Sequence, residues 1–389
     1  MSTRPSPRQP TSRRHSLDAL RGFAALAVML SHYPLTLFGQ RWFPTADLAV
    51  DLFYCLSGVV LWMHFGPKLS QGMGLRQLMA ERLIRVYPLY FIGLVLGLVA
   101  TALAVHQPGG HIDLGNAFWR GLLLWPVAQH SDVNLGGHLL HDEVFPLNPP
   151  CWSLFFELLA GASLVLWRRL PGWKAMVLPL LLLLAVWAKW SSFTATAMAS
   201  GWSVDTVHMG APRALFSFGM GVMLCRCWQA GDTPHWMRRG LAPSTAIVAM
   251  GLLMWTPYSW FRMSSHLVVP ATALLIPLLV GLVMQRSALR SPTLQWLGQI
   301  SYPIYVLHTP LYLLIEFIAQ QAGQHAGSPW ITCLSVAGTL LAAHLVQHHV
   351  DAPVRRWLKL ARRRPQASHA EPATTANAAV ARTVRRPVR

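Results

Sequence analysis

The sequence predicts an all-α fold, a polytopic bundle of about ten helices that crosses a membrane. Of the 389 residues, 53% are hydrophobic and only 12% are charged, about half the charged fraction usual in globular proteins. Apolar runs such as the one from Met176 to Ala188 leave too little polar surface to keep a globule in water. The composition therefore excludes a soluble, collagen-like or disordered chain, and five cysteines are too few for a disulfide scaffold.

Positive charge follows the pattern of a membrane topology. The chain carries 32 Lys and Arg against 14 Asp and Glu, a formal net charge of +18. Windows of about twenty residues, the length that crosses a bilayer, place spans near 18–38, 47–65, 83–105, 152–168, 174–190, 208–228, 241–259, 267–284, 297–318 and 330–350. Basic residues concentrate in every second loop, which predicts cytoplasmic termini and a plasma (inner) membrane location. We assign these cations to the lipid bilayer and not to nucleic acid.

Three regions follow from these spans. Residues 1–15 form a basic cytoplasmic tail, residues 16–355 form the transmembrane domain, and residues 356–389 form a second basic tail that we expect to be disordered. The longest outward connection, 106–151, contains the apolar segment NAFWRGLLLWPVAQH, which is too short to span a membrane. We predict that this segment is a re-entrant or surface helix.

Ionisable side chains inside the spans are the candidate functional residues, because burying them in lipid is costly. In the first span Arg21 and His32 lie eleven residues apart. Eleven residues place both side chains on one helix face, about 16 Å apart along the axis. Asp18 precedes Arg21 by three residues and can balance its charge. The alternative is that Arg21 reaches lipid phosphates and His32 bonds a neighbouring carbonyl.

Other spans carry further polar groups. The second span has Asp51 near its outer rim and Ser57 well inside, where a small residue also permits close helix contact. Arg82 and Arg85 share a face at the start of the third span, which equally suits a positive-inside anchor. Glu157 lies among apolar residues of the fourth span, where a helix-to-helix hydrogen bond is the competing interpretation. The remaining candidates are Trp152, Ser153, Tyr302, Tyr305 and His308.

Histidines elsewhere do not form a convincing metal site, and we predict none. His344, His348 and His349 lie together at the end of the last span, but no acidic or cysteine ligand completes the set. The outer connection is also rich in histidine, and the role of these residues stays open.

Together these segments resemble the acyltransferase 3 family of membrane-bound enzymes, which transfer acyl groups to carbohydrates and other hydroxyl acceptors. The resemblance covers about residues 15–355 and rests on LDALRGFAALAVMLSH, VDLFYCLSG, RLIRVYPLY, NPPCWSLFFE and ISYPIYVLHTP, in the family's order. It implies acyl-CoA, most simply acetyl-CoA, as a co-substrate on the cytoplasmic side, with no tightly bound cofactor. The implied reaction is O-acetylation of a cell-envelope or exported carbohydrate, a polysaccharide modification.

The resemblance also implies roles for the candidate residues. Arg21, Arg82 and Arg85 would bind the CoA phosphates. His32 would act as general base on the acceptor hydroxyl, and Glu157 would orient or charge-balance its imidazole. A covalent acyl-histidine is the mechanistic alternative. The functional alternative is a secondary transporter or exporter with an Arg, His and Glu relay, which the lack of an internal repeat disfavours.

Overall fold

The computed structural model describes residues 11–34, 36–37, 40–105, 112–127, 132–135, 138–191, 201–256, 269, 271–285, 291–325 and 327–367. The described chain is almost entirely helical. Its α-helices are α1 (Thr11–His32), α2 (Leu48–Ser70), α3 (Leu75–Val105), α4 (Leu114–Leu122), α5 (Trp152–Ala162), α6 (Leu164–Trp167), α7 (Val177–Ser191), α8 (Val207–Ala230), α9 (Pro243–Met254), α10 (Ile276–Met284), α11 (Pro292–Gln321), α12 (Pro329–Val346) and α13 (Ala352–Ala367). Two antiparallel hairpins pair β1 (Thr36–Leu37) with β2 (Gln40–Arg41) and β3 (Asp132–Leu135) with β4 (His138–His141).

Each of the ten predicted spans overlaps a helix. Among the described residues, five helical stretches are long and apolar enough to cross a membrane: Leu48–Ser70, Leu75–Leu103, Pro149–Trp167, Pro292–Gln321 and Pro329–Arg362. The predicted helical, multi-pass membrane architecture is therefore confirmed, and the count of ten spans stays a prediction. Helices such as α9, with 12 residues, are shorter than the roughly 20 residues that a crossing requires.

The helices depart from the predicted boundaries at both ends of the chain. α1 begins at Thr11, several residues before the predicted span. The turn Gln347–Asp351 is π-helical and joins α12 directly to α13, which continues to Ala367. Residues 356–367, expected to be disordered, are thus helical. Composition suggested disorder, but Val354, Trp357 and Leu360 recur every three residues, as on the apolar face of a helix.

The apolar segment of the long outward connection forms α4, and its end reaches deep along α3. The Asp113 carboxylate caps α4 by accepting a hydrogen bond from the Asn116 amide. The Tyr87 hydroxyl donates to the Leu122 carbonyl at 2.7 Å. The hydroxyl of Tyr90, also on α3, donates to the carbonyl of Gly121. Tyr87 lies about 18 Å from the start of α3, a helix of 31 residues. This depth fits the re-entrant alternative.

Two helix pairs in the core approach to backbone contact through glycines. A Cβ atom added to Gly58 of α2 would lie 2.1 Å from the Phe218 carbonyl oxygen of α8. A Cβ atom added to Gly298 of α11 would lie 2.6 Å from the Asp18 carbonyl oxygen of α1. Side chains larger than hydrogen would force these helices apart. Through the contact at Gly298, α1 packs directly against α11, and the face of α1 that packs there carries the candidate residues.

Candidate active site

The Arg21 guanidinium links α1 to α11. Its Nε atom donates to Ser301 Oγ at 3.0 Å, and its Nη2 atom donates to the Gly298 carbonyl at 3.3 Å. Nη2 also lies 2.8 Å from Asp18 Oδ1, the ion pair that the three-residue spacing predicts. Most of the hydrogen-bond donors of the Arg21 guanidinium therefore already have partners within the protein.

His32 lies beside His308 of α11, with the two ring centroids 5.1 Å apart and the rings at 63°. His32 Nδ1 is 2.8 Å from the Val28 carbonyl oxygen, and His308 Nδ1 is 3.0 Å from that of Ile304. A carbonyl oxygen only accepts hydrogen bonds, so each neutral imidazole carries its proton on Nδ1 and a lone pair on Nε2. His308 is fully buried, and its Nε2 has no hydrogen-bond partner in the described chain.

Glu157 pairs with Arg82. Its Oε1 atom accepts hydrogen bonds from Arg82 Nη2 and from Ser57 Oγ, both at 2.8 Å. The Arg82 side chain is only 4% exposed, and leaving its charge unpaired there would cost several kcal/mol. The expected contact between Glu157 and His32 is not found among the described residues. Glu157 balances an arginine instead of the imidazole, and Ser57 donates to it rather than only allowing close packing.

Four guanidinium groups interact electrostatically at one end of the bundle, hereafter the basic end: Arg21, Arg82, Arg85 and Arg355. Three of them form ion pairs with carboxylates, namely Asp18, Glu157 and Asp351. Arg85 is exposed and makes no hydrogen bond or ion pair within the described part of the chain. The basic end therefore presents one uncompensated cation to an incoming anion.

Tyrosines of α11 tie the His308 helix to its neighbours. The Tyr305 hydroxyl lies 2.7 Å from Ser153 Oγ and donates to a backbone carbonyl just before α5 at 2.9 Å. The Tyr302 hydroxyl donates to a backbone carbonyl of α3 at 2.6 Å. The Tyr305 ring also lies 6.0 Å from the His308 ring. Both hydroxyl groups therefore bond within the bundle, and the Tyr305 ring packs beside His308.

The sequence interpretation missed Arg213, the partner of Asp51. Arg213 Nη2 lies 2.6 Å from Asp51 Oδ2, and both side chains are 1% exposed. Ser217 Oγ donates to Asp51 Oδ1 at 3.0 Å, and the Trp152 ring lies 5.9 Å from the Arg213 guanidinium. An arginine inside the apolar span 208–228 was the available signal.

A second missed residue is Asp47, which precedes α2. Its carboxyl group interacts electrostatically with His32. Glu143, on the connection before α5, interacts in turn with Asp47 and Asp142. Burial is the main cause that raises the pKa of Glu143 well above its usual 4.5, and the two aspartates add to it. The sequence assigned the carboxylate that interacts with the imidazole to Glu157, whereas Asp47 is the carboxyl group that interacts with His32.

A sequence model of the acyltransferase domain matches residues 14–347. The chain belongs to the acyltransferase 3 family. Acyltransferase MdmB of Streptomyces mycarofaciens is 28% identical over 397 residues, which cover 92% of this chain and 95% of that protein. Protein 2 in the picA locus of Rhizobium radiobacter is 34% identical over 184 residues, covering 44% and 91% respectively. Peptidoglycan O-acetyltransferase OatA of Listeria monocytogenes is 22% identical over 369 residues, covering 88% and 56%. No solved structure matches the chain.

Family membership confirms the resemblance and makes this protein a multi-pass membrane O-acyltransferase. The transporter alternative is not retained. Among the described residues, no group of three His, Cys, Asp or Glu side chains could hold a metal ion. His344 instead accepts a hydrogen bond from Trp296 Nε1 at 3.1 Å. The outer-loop residues His106, His111 and His130 lie outside the described residues.

Proposed function

We propose that this acyltransferase 3 protein moves an acyl group, most simply acetyl, from acyl-CoA to a hydroxyl of a cell-envelope or exported carbohydrate. Helix α1 carries the proposal, because it holds Arg21 at the basic end and His32 about 16 Å away, both against α11. An acyl-CoA has its groups separated in the same way, with phosphates at one end and the reactive thioester at the other. The neutral pantetheine arm between them suits a passage through the bundle.

His32 acts as the general base at the thioester. Its free Nε2 accepts the proton of the acceptor hydroxyl, whose oxygen bonds to the thioester carbonyl carbon. The carbon–sulfur bond then breaks, and the proton passes to the CoA thiolate, so that free CoA leaves. The Asp47 carboxylate stabilises the intermediate imidazolium, and buried His308 borders the reacting groups.

Arg85 is the principal phosphate ligand of the donor. It is the member of the basic end without a carboxylate partner in the described chain, so its fork is free for charge-assisted hydrogen bonds. Arg82 neutralises Glu157, and Arg21 ties α1 to α11. We expected three arginines to bind the phosphates equally. In this proposal Arg85 binds them directly, and Arg21 and Arg82 hold the surrounding helices in place.

Replacing Arg85 with lysine is expected to weaken acyl-CoA binding. A point ammonium cannot reproduce the planar guanidinium fork, and each lost charge-assisted contact costs about 1.5–3 kcal/mol. The dissociation constant of acetyl-CoA, measured by calorimetric titration of purified protein, should rise roughly ten- to a hundredfold. Arg169→Lys, an exposed arginine in the turn after α6, is the matched control and should bind normally. Wild-type affinity in Arg85→Lys would refute the phosphate role.

The proposal also covers the class of acceptor and the orientation of the protein in the membrane. OatA is named as a peptidoglycan O-acetyltransferase, which supports a cell-envelope carbohydrate as acceptor here. Basic loops support cytoplasmic termini in the plasma (inner) membrane, and this orientation turns the basic end toward the cytoplasm, where acyl-CoA is available. The acceptor then reaches His32 from the opposite side.

A further inference from the structure

An apolar groove of about 700 Å³ lies outside the contact between α3 and α5. Its walls are α3 from Met79 to Pro88, α5 from Phe155 to Ala162, the turn Leu122–Trp125 after α4, and Leu358 of α13. Neither the two histidines of the candidate active site nor the arginines of the basic end line it. The groove is therefore separate from the acyl-transfer site, and its role stands independently of the proposed function.

Along α3 the groove is about as long as one leaflet of the hydrocarbon core is thick. Met79 and Pro88 are nine residues apart on α3, a rise of about 14 Å, close to half of a hydrocarbon core about 30 Å thick. The turn after α4 closes the deep end, where the Tyr87 hydroxyl holds the Leu122 carbonyl at 2.7 Å. Leu123 and Trp125 on this turn are 77% and 57% exposed, which suits contact with lipid chains.

Two arginines lie one helical turn beyond residues that line the groove. Arg76 lies three residues before Met79, on the same face of α3. Arg362 lies four residues after Leu358 of α13, again on the same face. Neither arginine has a hydrogen bond or ion pair within the described residues. Cations beside an apolar groove attract lipid phosphates.

We propose that the groove binds one anionic phospholipid. Its acyl chain lies between α3 and α5, below the turn after α4, and its phosphate lies between Arg76 and Arg362. An apolar groove of this length fits one lipid chain. The two arginines beside it favour an anionic headgroup over a zwitterionic one. A second copy of this chain fits less well, because it would bring two basic surfaces together. Trp357 and Leu360 of α13 are 66% and 61% exposed and add apolar surface to the helix that carries Leu358.

Native mass spectrometry of the full-length protein tests this site. The protein is released from nanodiscs that contain equal parts of phosphatidylglycerol and phosphatidylcholine, and the retained lipids are weighed. Wild type is expected to retain one phosphatidylglycerol in preference to phosphatidylcholine. Ala162→Trp fills the groove and should abolish this retention. Leu181→Trp, on an exposed position of α7 outside the groove, should retain the lipid as wild type does.

The headgroup contacts are tested by the double variant Arg76→Gln/Arg362→Gln, whose substitutions lie on the surface and leave the core intact. Phosphatidylglycerol retention should fall about thirtyfold, the equivalent of about 2 kcal/mol, and the preference over phosphatidylcholine should vanish. Arg169→Gln is the control and should behave as wild type. Undiminished retention in both the Ala162→Trp and the double arginine variant would overturn the proposal. Equal retention of the two lipids by wild type, or a dimer in place of the lipid adduct, would overturn it as well.

Discussion

Replacing His32 with alanine is expected to abolish acyl transfer while the protein remains folded in the membrane. His32 Nδ1 is committed to the Val28 carbonyl, so Nε2 is the atom left to take the acceptor proton. Loss of a general base lowers the rate by about 10²-fold or more. The rate of CoA thiol release from acetyl-CoA, with acceptor present, measures the effect. Acetyl-CoA affinity should stay near the wild-type value because the phosphate ligands are untouched.

Two controls separate chemistry from folding in this experiment. His235→Ala removes an exposed histidine after α8 and should leave the rate unchanged. The unfolding temperature of His32→Ala should also lie near that of wild type. If His32→Ala keeps more than about a tenth of the wild-type rate, the general-base role is refuted.

Replacing Asp51 with alanine is expected to destabilise the bundle by about 3–5 kcal/mol. The change leaves the Arg213 guanidinium charged and 1% exposed, without the carboxylate that now lies 2.6 Å away. Ser217 loses its acceptor at the same time. The free energy of unfolding, measured by denaturant titration of the protein in micelles with tryptophan fluorescence, should fall by this amount.

Two further variants make this prediction specific. Asp205→Ala changes an exposed aspartate before α8 and should alter stability by less than about 0.5 kcal/mol. The double variant Asp51→Leu/Arg213→Met removes both charges and should recover most of the loss. A single variant Asp51→Ala as stable as wild type would show that the pair contributes nothing.

Helical periodicity allowed the sequence to predict features that lie within one helix. The eleven-residue spacing of Arg21 and His32 correctly predicts one face, because both residues contact α11, at Ser301 and His308. The Asp18–Arg21 ion pair follows from its three-residue spacing in the same way. A short helix within the outward connection was predictable because an apolar run too short to cross must turn back or lie at the surface.

Partners across helices could not be predicted, because they depend on how each helix is rotated and how deep it lies. Glu157 was assigned to His32 but faces Arg82, since α5 packs beside α3 at that depth. Asp51 meets Arg213 across 162 residues of sequence, a separation that no local pattern encodes. Helix α13 was not predicted for another reason: its composition is basic and polar, like that of a disordered tail, and its apolar stripe is short.

The central claim is that this protein transfers an acyl group from acyl-CoA to a carbohydrate hydroxyl through His32. Purified wild-type and His32→Ala proteins in liposomes, supplied with radiolabelled acetyl-CoA and cell-envelope polysaccharide, test it most directly. Wild type is expected to release free CoA and to label the polysaccharide in equal amounts, and His32→Ala should do neither. Release of CoA and labelling at the same rate in both proteins, or no labelling and no CoA release by wild type, would contradict the claim.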